Sequence, residues 1–517
     1  MLARGKQFLI TGQRQLQGPL AIYWVLGLVG ALIVKILGLT IGGWWSLLGL
    51  IALSTWLPAV AEHGSKWHWS FRQWRLIWWQ QLLLAIIWLP TGWGGYLATL
   101  QVSVKVPAPL QNAIFQTRYD WLPYVVPVWG LLWLASFKWL PSFKQQLLHP
   151  TTWRAFWLRG WQTSWWHVVR RLWAAWQWVL GALIWMGVVT SITAVVTAWQ
   201  PTVGWWVALG AMVSMQWGMC ISLAAFAQRE GFLAGGAPHR YHRYLMSGLA
   251  IVIVGFAGYW LRPTTSPTPA IIAHRGVNGR DGVQNTTKAL KRTVKRTQPA
   301  LVEMDIQPTA DHHWVVMHDP TLMNLADKPG PVSDYRLQQI DGIKLHEHGQ
   351  HGILSTFKQY LQVATAVKQP LLVEIKALGS AGDLMTPFAS AYATSLEKTG
   401  GAVHSLDYQV VARLKQRTSK LRVGYITPFY LTDFTANAAD FYSLQALTAT
   451  PEQVNAAHRS GRAVYLWTVD RRIAMQRLSA MGVDGLITNH PGRLRQLQAH
   501  RNQRVTGQLL NWVIGLL

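Results

Sequence analysis

Two regimes of hydrophobic patterning divide the chain near residue 265. Before it, long apolar runs recur with short polar breaks, at 20–38, 42–60, 76–99, 121–140, 174–199, 203–227 and 244–262. A helix needs about 20 apolar residues to cross a bilayer core of about 30 Å, so seven membrane-spanning helices are expected. After residue 265 the apolar runs shorten to five to seven residues, at 270–275, 301–306, 371–376, 401–405, 421–426, 440–444, 463–469 and 485–489. Helix-period stretches such as 286–297, 451–460 and 472–481 lie between several of them. Strands alternating with helices predict a parallel (β/α)8, or TIM, barrel. The run 314–319 is taken as a hairpin extension of the second strand. The expected fold is an α-helical multi-pass membrane domain (1–263), a linker (264–269), an α/β TIM barrel (270–500) and an apolar tail (501–517) too short to span.

Composition sharpens this division. Only Glu62, Asp120 and Glu230 precede residue 270, leaving 18 of the 21 acidic residues after it. Tryptophan is skewed the other way, with 29 of 32 before residue 270. Indoles near span ends suit the head-group region. The stretch 153–173 mixes Trp with Arg too closely for a span and is expected as one interfacial or bundle-capping amphipathic helix. The net charge of +26 points to anionic lipid head groups and phosphate polymers rather than nucleic acid, because the basic residues flank apolar spans. Cys220 is the single cysteine, which excludes an intrachain disulfide. Every second loop is basic: Arg4, Lys6 and Arg14, then Lys66, Arg72 and Arg75, then the 138–171 set, then Arg229, Arg240 and Arg243. Basic loops stay cytoplasmic, so an odd number of spans puts the barrel outside.

Strand ends carry the candidate chemistry, since active sites of such barrels form at the C-terminal ends of the strands. That rule selects His274-Arg275, Glu303 and Asp305, Glu374 and Lys376, Trp467 and Asn489. Residues two apart on a strand share a face, so Glu303 and Asp305 point together, as do Glu374 and Lys376. Buried carboxylates need neutralising. A hard cation, Ca²⁺ or Mg²⁺, fits three carboxylates without sulfur; taken alone, the Glu-x-Asp pair more often means a buried Glu374–Lys376 ion pair with a solvated acidic rim. His274 and His318 each end an apolar run and suit proton transfer near neutral pH, although any one of 17 histidines can be structural. Arg275 can fork onto a phosphate.

The ordered set His274-Arg275-Gly276, Asn285-Thr286, Glu303-x-Asp305, His318-Asp319, Glu374-x-Lys376, 352–357, 466–469 and 482–488 resembles the glycerophosphodiester phosphodiesterase family. The resemblance covers about 270–500, and the Trp-rich half resembles the multi-pass domain fused to some bacterial members. It implies a TIM barrel that hydrolyses glycerophosphodiesters to sn-glycerol 3-phosphate and an alcohol. His274 and His318 would be the acid–base pair, and Glu303, Asp305 and Glu374 the ligands of a divalent cation. Arg275, Lys376 and Trp467 would bind substrate. In related enzymes a substrate hydroxyl can attack phosphorus first, giving a cyclic phosphate that water opens. The chain departs from the family at Gln284, usually Glu, and at Asn489, usually Asp. The expected function is a membrane-anchored phosphodiesterase acting outside the cell, on lipid head groups or teichoic-acid-type polymers. The alternatives are a non-catalytic or regulatory protein with a degenerate barrel, and a lipid-handling membrane protein.

The charge pattern makes a separate prediction. Protease shaving of intact cells is expected to remove residues 270–500; protection of that region overturns the orientation.

Overall fold

The computed structural model describes residues 2–17, 117–148, 151–229, 240–262, 268–376, 381–431, 433–499 and 504–516, with scattered positions in 26–114. The chain forms two compact units: Met1–Val104 with Thr117–Pro263 and Gln508–Leu517, and Lys105–Gln116 with Thr264–Gly507.

The first unit is helical, with α1 (Leu2–Gln17), α2 (Arg118–Leu148), α3 (Trp153–Gln162), α4 (Trp165–Trp199), α5 (Pro201–Arg229) and α6 (His242–Trp260). The stretch expected as a single helix at 153–173 is two. Ser164 caps α4, its hydroxyl accepting the Trp166 N–H at 3.3 Å. That side chain offers the backbone a start signal in the middle of the Trp-Arg pattern. Among the described residues, Leu180–Trp199 within α4 and His242–Trp260 (α6) are long and apolar enough to cross a membrane. Their outward residues are apolar, with Ile184, Trp185, Val195 and Ile251 all more than half exposed. The expected spans 121–140 and 203–227 are helical, within α2 and α5. Those at 20–38, 42–60 and 76–99 lie mostly outside the described residues. The expected seven spans therefore narrow to two among the described residues.

The second unit contains a closed barrel. Its strands are β1 (Ala270–Ala273), β2 (Leu301–Pro308), β3 (Trp314–Val316), β4 (Lys344–Glu347), β5 (Gln350–Ile353), β6 (Leu371–Ile375), β7 (Ala402–Ser405), β8 (Arg422–Thr427), β9 (Phe441–Gln445), β10 (Ala463–Trp467) and β11 (Gly485–Thr488). Parallel neighbours run β1-β11-β10-β9-β8-β7-β6-β2, and pairing of β1 with β2 closes the ring of eight. The alternating pattern predicts this closure. β3 pairs antiparallel with β2, Ile306 opposite Val316, as the hairpin extension requires. The β4–β5 hairpin is unforeseen, because most of its residues are exposed or half-exposed and leave no apolar alternation to read. It sits over a small core of its own, including Val283, Val315, Leu325, Ile340 and Leu345.

Outer helices begin on side-chain caps that the sequence displays. Thr286 caps α7 (Thr287–Thr297), while Thr356 with Gln359 and Thr450 with Gln453 form capping boxes for α8 (Phe357–Ala366) and α9 (Pro451–Arg459). The main core packs these helices on the barrel's outer face, with Leu290, Tyr360, Leu361 and Val454 meeting Val302, Met304 and Val464. Inside the barrel, Ile272, Leu301, Leu372, Ala402, Phe441, Tyr465 and Ile487 form an apolar floor. Residues 105–116 belong to this unit. The Gln111 amide donates to Thr427 Oγ1 at 3.4 Å, and its oxygen accepts the Leu431 N–H at 2.9 Å.

Gly424 makes room for Phe441, its register partner; an added Cβ would lie 2.2 Å from that ring. Gly424→Ala is expected to destabilise the barrel by about 1–3 kcal/mol. Hydrogen exchange of the full chain in detergent should quicken in β8 and β9, and unchanged exchange would show that Phe441 moves aside freely.

Candidate active site

Two residues beyond the apolar floor, the same inward face turns polar. Ile272 gives way to His274, Leu301 to Glu303, Leu372 to Glu374 and Ala402 to His404. Phe441 is followed likewise by Ser443, Tyr465 by Trp467 and Ile487 by Asn489. The period of two along a strand makes this a second layer above the first. Register sharpens it: Asp305 pairs with Glu374, and Glu374 with His404, so three neighbouring strands carry these groups abreast.

The three expected carboxylates are brought together, Glu303 and Asp305 buried and Glu374 half-buried, and two cations meet them. Lys376 Nζ lies 2.6 Å from Glu374 Oε1 and 3.1 Å from Asp305 Oδ1. Arg275 Nε lies 3.8 Å from Asp305 Oδ2. Asn285 grips Asp305 twice, its amide donating to Oδ2 at 2.9 Å and its oxygen accepting the Asp305 N–H at 3.2 Å. Burial works to raise the Asp305 pKa, but Lys376, His318 and Arg275 hold it well below the usual range. Burial also raises Glu303 well above its ordinary value, with the charges of Asp305 and Glu374 adding to it. Glu374 is raised by burial and partly relieved by Lys376. Burial acts against the Lys376 ammonium, yet Asp305 and Glu374 raise its pKa. Glu303, Glu374 and His404 each offer a ligand atom within 4.8 Å of the others. The donor set therefore suits a divalent cation.

Both expected histidines line this region, each oriented by a neighbour. Asn489 Nδ2 donates to Asp470 Oδ2 at 2.8 Å, which turns Asn489 Oδ1 toward His274 Nδ1, also 2.8 Å away. That oxygen can only accept, so Nδ1 carries the proton and Nε2 keeps its lone pair. Nε2 lies 3.8 Å from Glu303 Oε2. Burial, with the charge of Arg275, lowers the His274 pKa to about 4. His318 Nδ1 lies 2.8 Å from Asp319 Oδ1, and Asn324 holds the other Asp319 oxygen at 2.9 Å. Gln307 on β2 fixes this loop, its amide donating to the carbonyls of Met317, His318 and Asp319 at 2.7–3.1 Å.

Arg275 has the left-handed φ of 53° and donates its backbone N–H to Glu303 Oε2 at 2.9 Å. Gly276 follows at φ +67°, where an added Cβ would sit 2.8 Å from the Tyr360 hydroxyl. Trp467 is half-buried, its indole N–H donating to Ser443 O at 3.0 Å.

The two departures from the expected motif share one geometry. Gln284 accepts from Arg275 Nη1 at 2.5 Å and donates to Glu347 Oε1 at 2.7 Å. Asn489 likewise stands between His274 and Asp470. In each case an amide stands at the motif position and a carboxylate lies one side chain further back. A cleft of about 290 Å³ opens here, lined in part by Arg275, Arg280, Gln284, Glu347, Asp470 and Asn489. Sequence reasoning missed Glu347, Asp470, His404 and Tyr360. Strand phase was the available signal for His404, since it lies two beyond Ala402 on the inward face; Glu347 sits on the hairpin that had no pattern.

Residues 274–493 match the glycerophosphoryl diester phosphodiesterase family. A glycerophosphodiester phosphodiesterase of Caldanaerobacter subterraneus subsp. tengcongensis is 28% identical over 240 residues, 44% of this chain and 96% of that protein. A glycerophosphodiester phosphodiesterase of Bacillus subtilis is 25% identical over 249 residues, 43% of this chain and 83% of that protein. The crystal structure of a glycerophosphodiester phosphodiesterase from Parabacteroides distasonis covers 45% of this chain and 98% of its own, with 22% identity and a TM-score of 0.39. The chain thus carries a domain of this family and is an enzyme, a phosphoric diester hydrolase.

Gln284→Glu sets a carboxylate against Glu347 and is expected to reduce kcat/KM. Glu347→Gln in that background exchanges amide and carboxylate and should restore it. The four-protein cycle should give an interaction energy of about 0.5–3 kcal/mol, and additive effects would show that the pair does not couple.

Proposed function

We propose that this enzyme is a membrane-anchored glycerophosphodiester phosphodiesterase. It hydrolyses glycerophosphodiesters to sn-glycerol 3-phosphate and an alcohol. The observation that carries this reading is the pair of oppositely prepared histidines beside one buried acidic layer. His274 keeps a neutral Nε2 lone pair because Asn489 accepts from its Nδ1. It is suited to take the proton from the attacking oxygen, that of water or of a substrate hydroxyl whose cyclic phosphate water then opens. His318 is backed by Asp319, which balances the charge that a protonated ring carries. It gives its proton to the leaving alcohol oxygen as the P–O bond breaks.

Glu303, Asp305 and Glu374 are the residues proposed to hold a divalent cation, and carboxylates alone suit Ca²⁺ or Mg²⁺. Bound there, such an ion supplies Lewis-acid stabilisation of charge on the phosphoryl oxygens. Arg275 and Lys376 are each about one-fifth exposed, which leaves donors to face a phosphate. Trp467 is proposed to line the substrate's path. The two apolar helices support anchoring; placement of the barrel outside the cell, with lipid head groups or teichoic-acid-type polymers as substrates, rests on the alternation of basic loops in the sequence alone. The domain limits read from sequence, 1–263 and 270–500, are kept in this proposal, with residues 105–116 added to the catalytic unit.

Full-length protein in detergent is expected to release glycerol 3-phosphate from a glycerophosphodiester, and chelator should stop it. His274→Ala and His318→Ala should each lower kcat by about 10²–10⁴-fold, the usual worth of a positioned acid or base. Full activity in either variant, or robust activity in chelator, would overturn the mechanism.

A further inference from the structure

The second layer of the barrel holds one chemically capable group that this mechanism leaves unused. His404 is 2% exposed and stands on β7 directly beside Glu374 on β6. Its Nδ1 lies 2.9 Å from Ser443 Oγ. Its Nε2 is buried with no hydrogen-bond partner. A buried polar atom without a partner is costly, and such an atom in a native site calls for a ligand. One ring nitrogen of His404 comes within 4.8 Å of carboxylate oxygens of both Glu303 and Glu374; with Nδ1 turned to Ser443, Nε2 is the nitrogen left to bind there.

We infer that His404 is a protein ligand of the divalent cation, binding through Nε2 alongside Glu303 and Glu374, and that it shifts the site toward transition-series ions. This rests on the proposed metal site and adds to it. Three features support it. A ligating imidazole characteristically donates its other ring N–H to an oxygen, which fixes the tautomer, and Ser443 Oγ stands where that acceptor is needed. Ser443 itself is fully buried, and its carbonyl is held by the Trp467 indole, so the supporting partner has a fixed place. Asp305, the third expected ligand, is already engaged by Lys376 and Asn285. Lys376 reaches Glu374 Oε1 as well, at 2.6 Å, so the shared ammonium partly neutralises both carboxylates, and the imidazole adds a neutral nitrogen donor to the layer. Imidazole favours first-row transition ions, whereas Ca²⁺ and Mg²⁺ take oxygen ligands.

Mn²⁺ alone is the probe, bound to the full-length chain in detergent. Pulsed electron paramagnetic resonance of the wild type is expected to show coupling to a directly bonded ¹⁴N, a measurement that needs no variant. The coupling should persist in His274→Gln and vanish in His404→Gln, with His404→Asn as the smaller replacement. His404→Gln should weaken Mn²⁺ at least about tenfold, the lower range for disturbing a metal's ligand shell, and leave Ca²⁺ affinity nearly unchanged. Mn²⁺ binding without nitrogen coupling, or coupling lost in His274→Gln instead, would overturn the role of His404 while the carboxylate site stands. Mn²⁺ binding no tighter in the wild type than in Glu303→Gln/Glu374→Gln would overturn both.

Discussion

Glu303, Asp305 and Glu374 share one buried region of a parallel barrel, and their mutual repulsion organises the surroundings. Isolated buried charges cost several kcal/mol each, so the fold must bring compensating groups to them. It does so from three directions. Lys376 lies one inward position above Glu374 and reaches both that residue and Asp305. Arg275, held in a left-handed conformation at the end of β1, presents its backbone N–H to Glu303 and its side chain to Asp305. Asn285, also at positive φ, clamps Asp305 through both amide atoms. The opposite responses of Glu303 and Asp305 follow. Asp305 receives the cations and stays ionised, while Glu303 is raised first by burial and then by the neighbouring negative charges.

The amide–carboxylate pairs extend that constraint outward. A carboxylate at position 284 or 489 would add negative charge beside a layer already rich in it. Gln284 and Asn489 are neutral, yet each is fixed by an acid behind it, Glu347 or Asp470. Asp470 thereby decides the tautomer of His274, and Glu347 anchors the side chain that accepts from Arg275. The positioning role passes through the amide while the charge stays farther from the reacting centre.

The expected site was legible to the extent that its members lie close in sequence or end apolar strands. Glu303 with Asp305, and Glu374 with Lys376, follow from side-chain alternation within single strands. Thr286, Thr356 and Thr450 announce helix starts by local hydrogen bonding. The departures at Gln284 and Asn489 were visible as letters, but their partners lie 63 and 19 residues away, and no local rule pairs them. The break of the 153–173 stretch was legible in Ser164, yet the aromatic and basic pattern obscured it.

By itself the sequence determined the strand–helix alternation and the two-residue phase of each strand. These depend on local sterics and on apolar burial, which act along the chain. Tertiary structure alone decided which strands stand side by side and at what register. That register sets Asp305, Glu374 and His404 abreast; the placing of the separate β4–β5 hairpin brings Glu347 to Gln284. Contacts between residues far apart in sequence arise only when the sheet closes, because closure fixes the shear that matches one strand's inward face to the next.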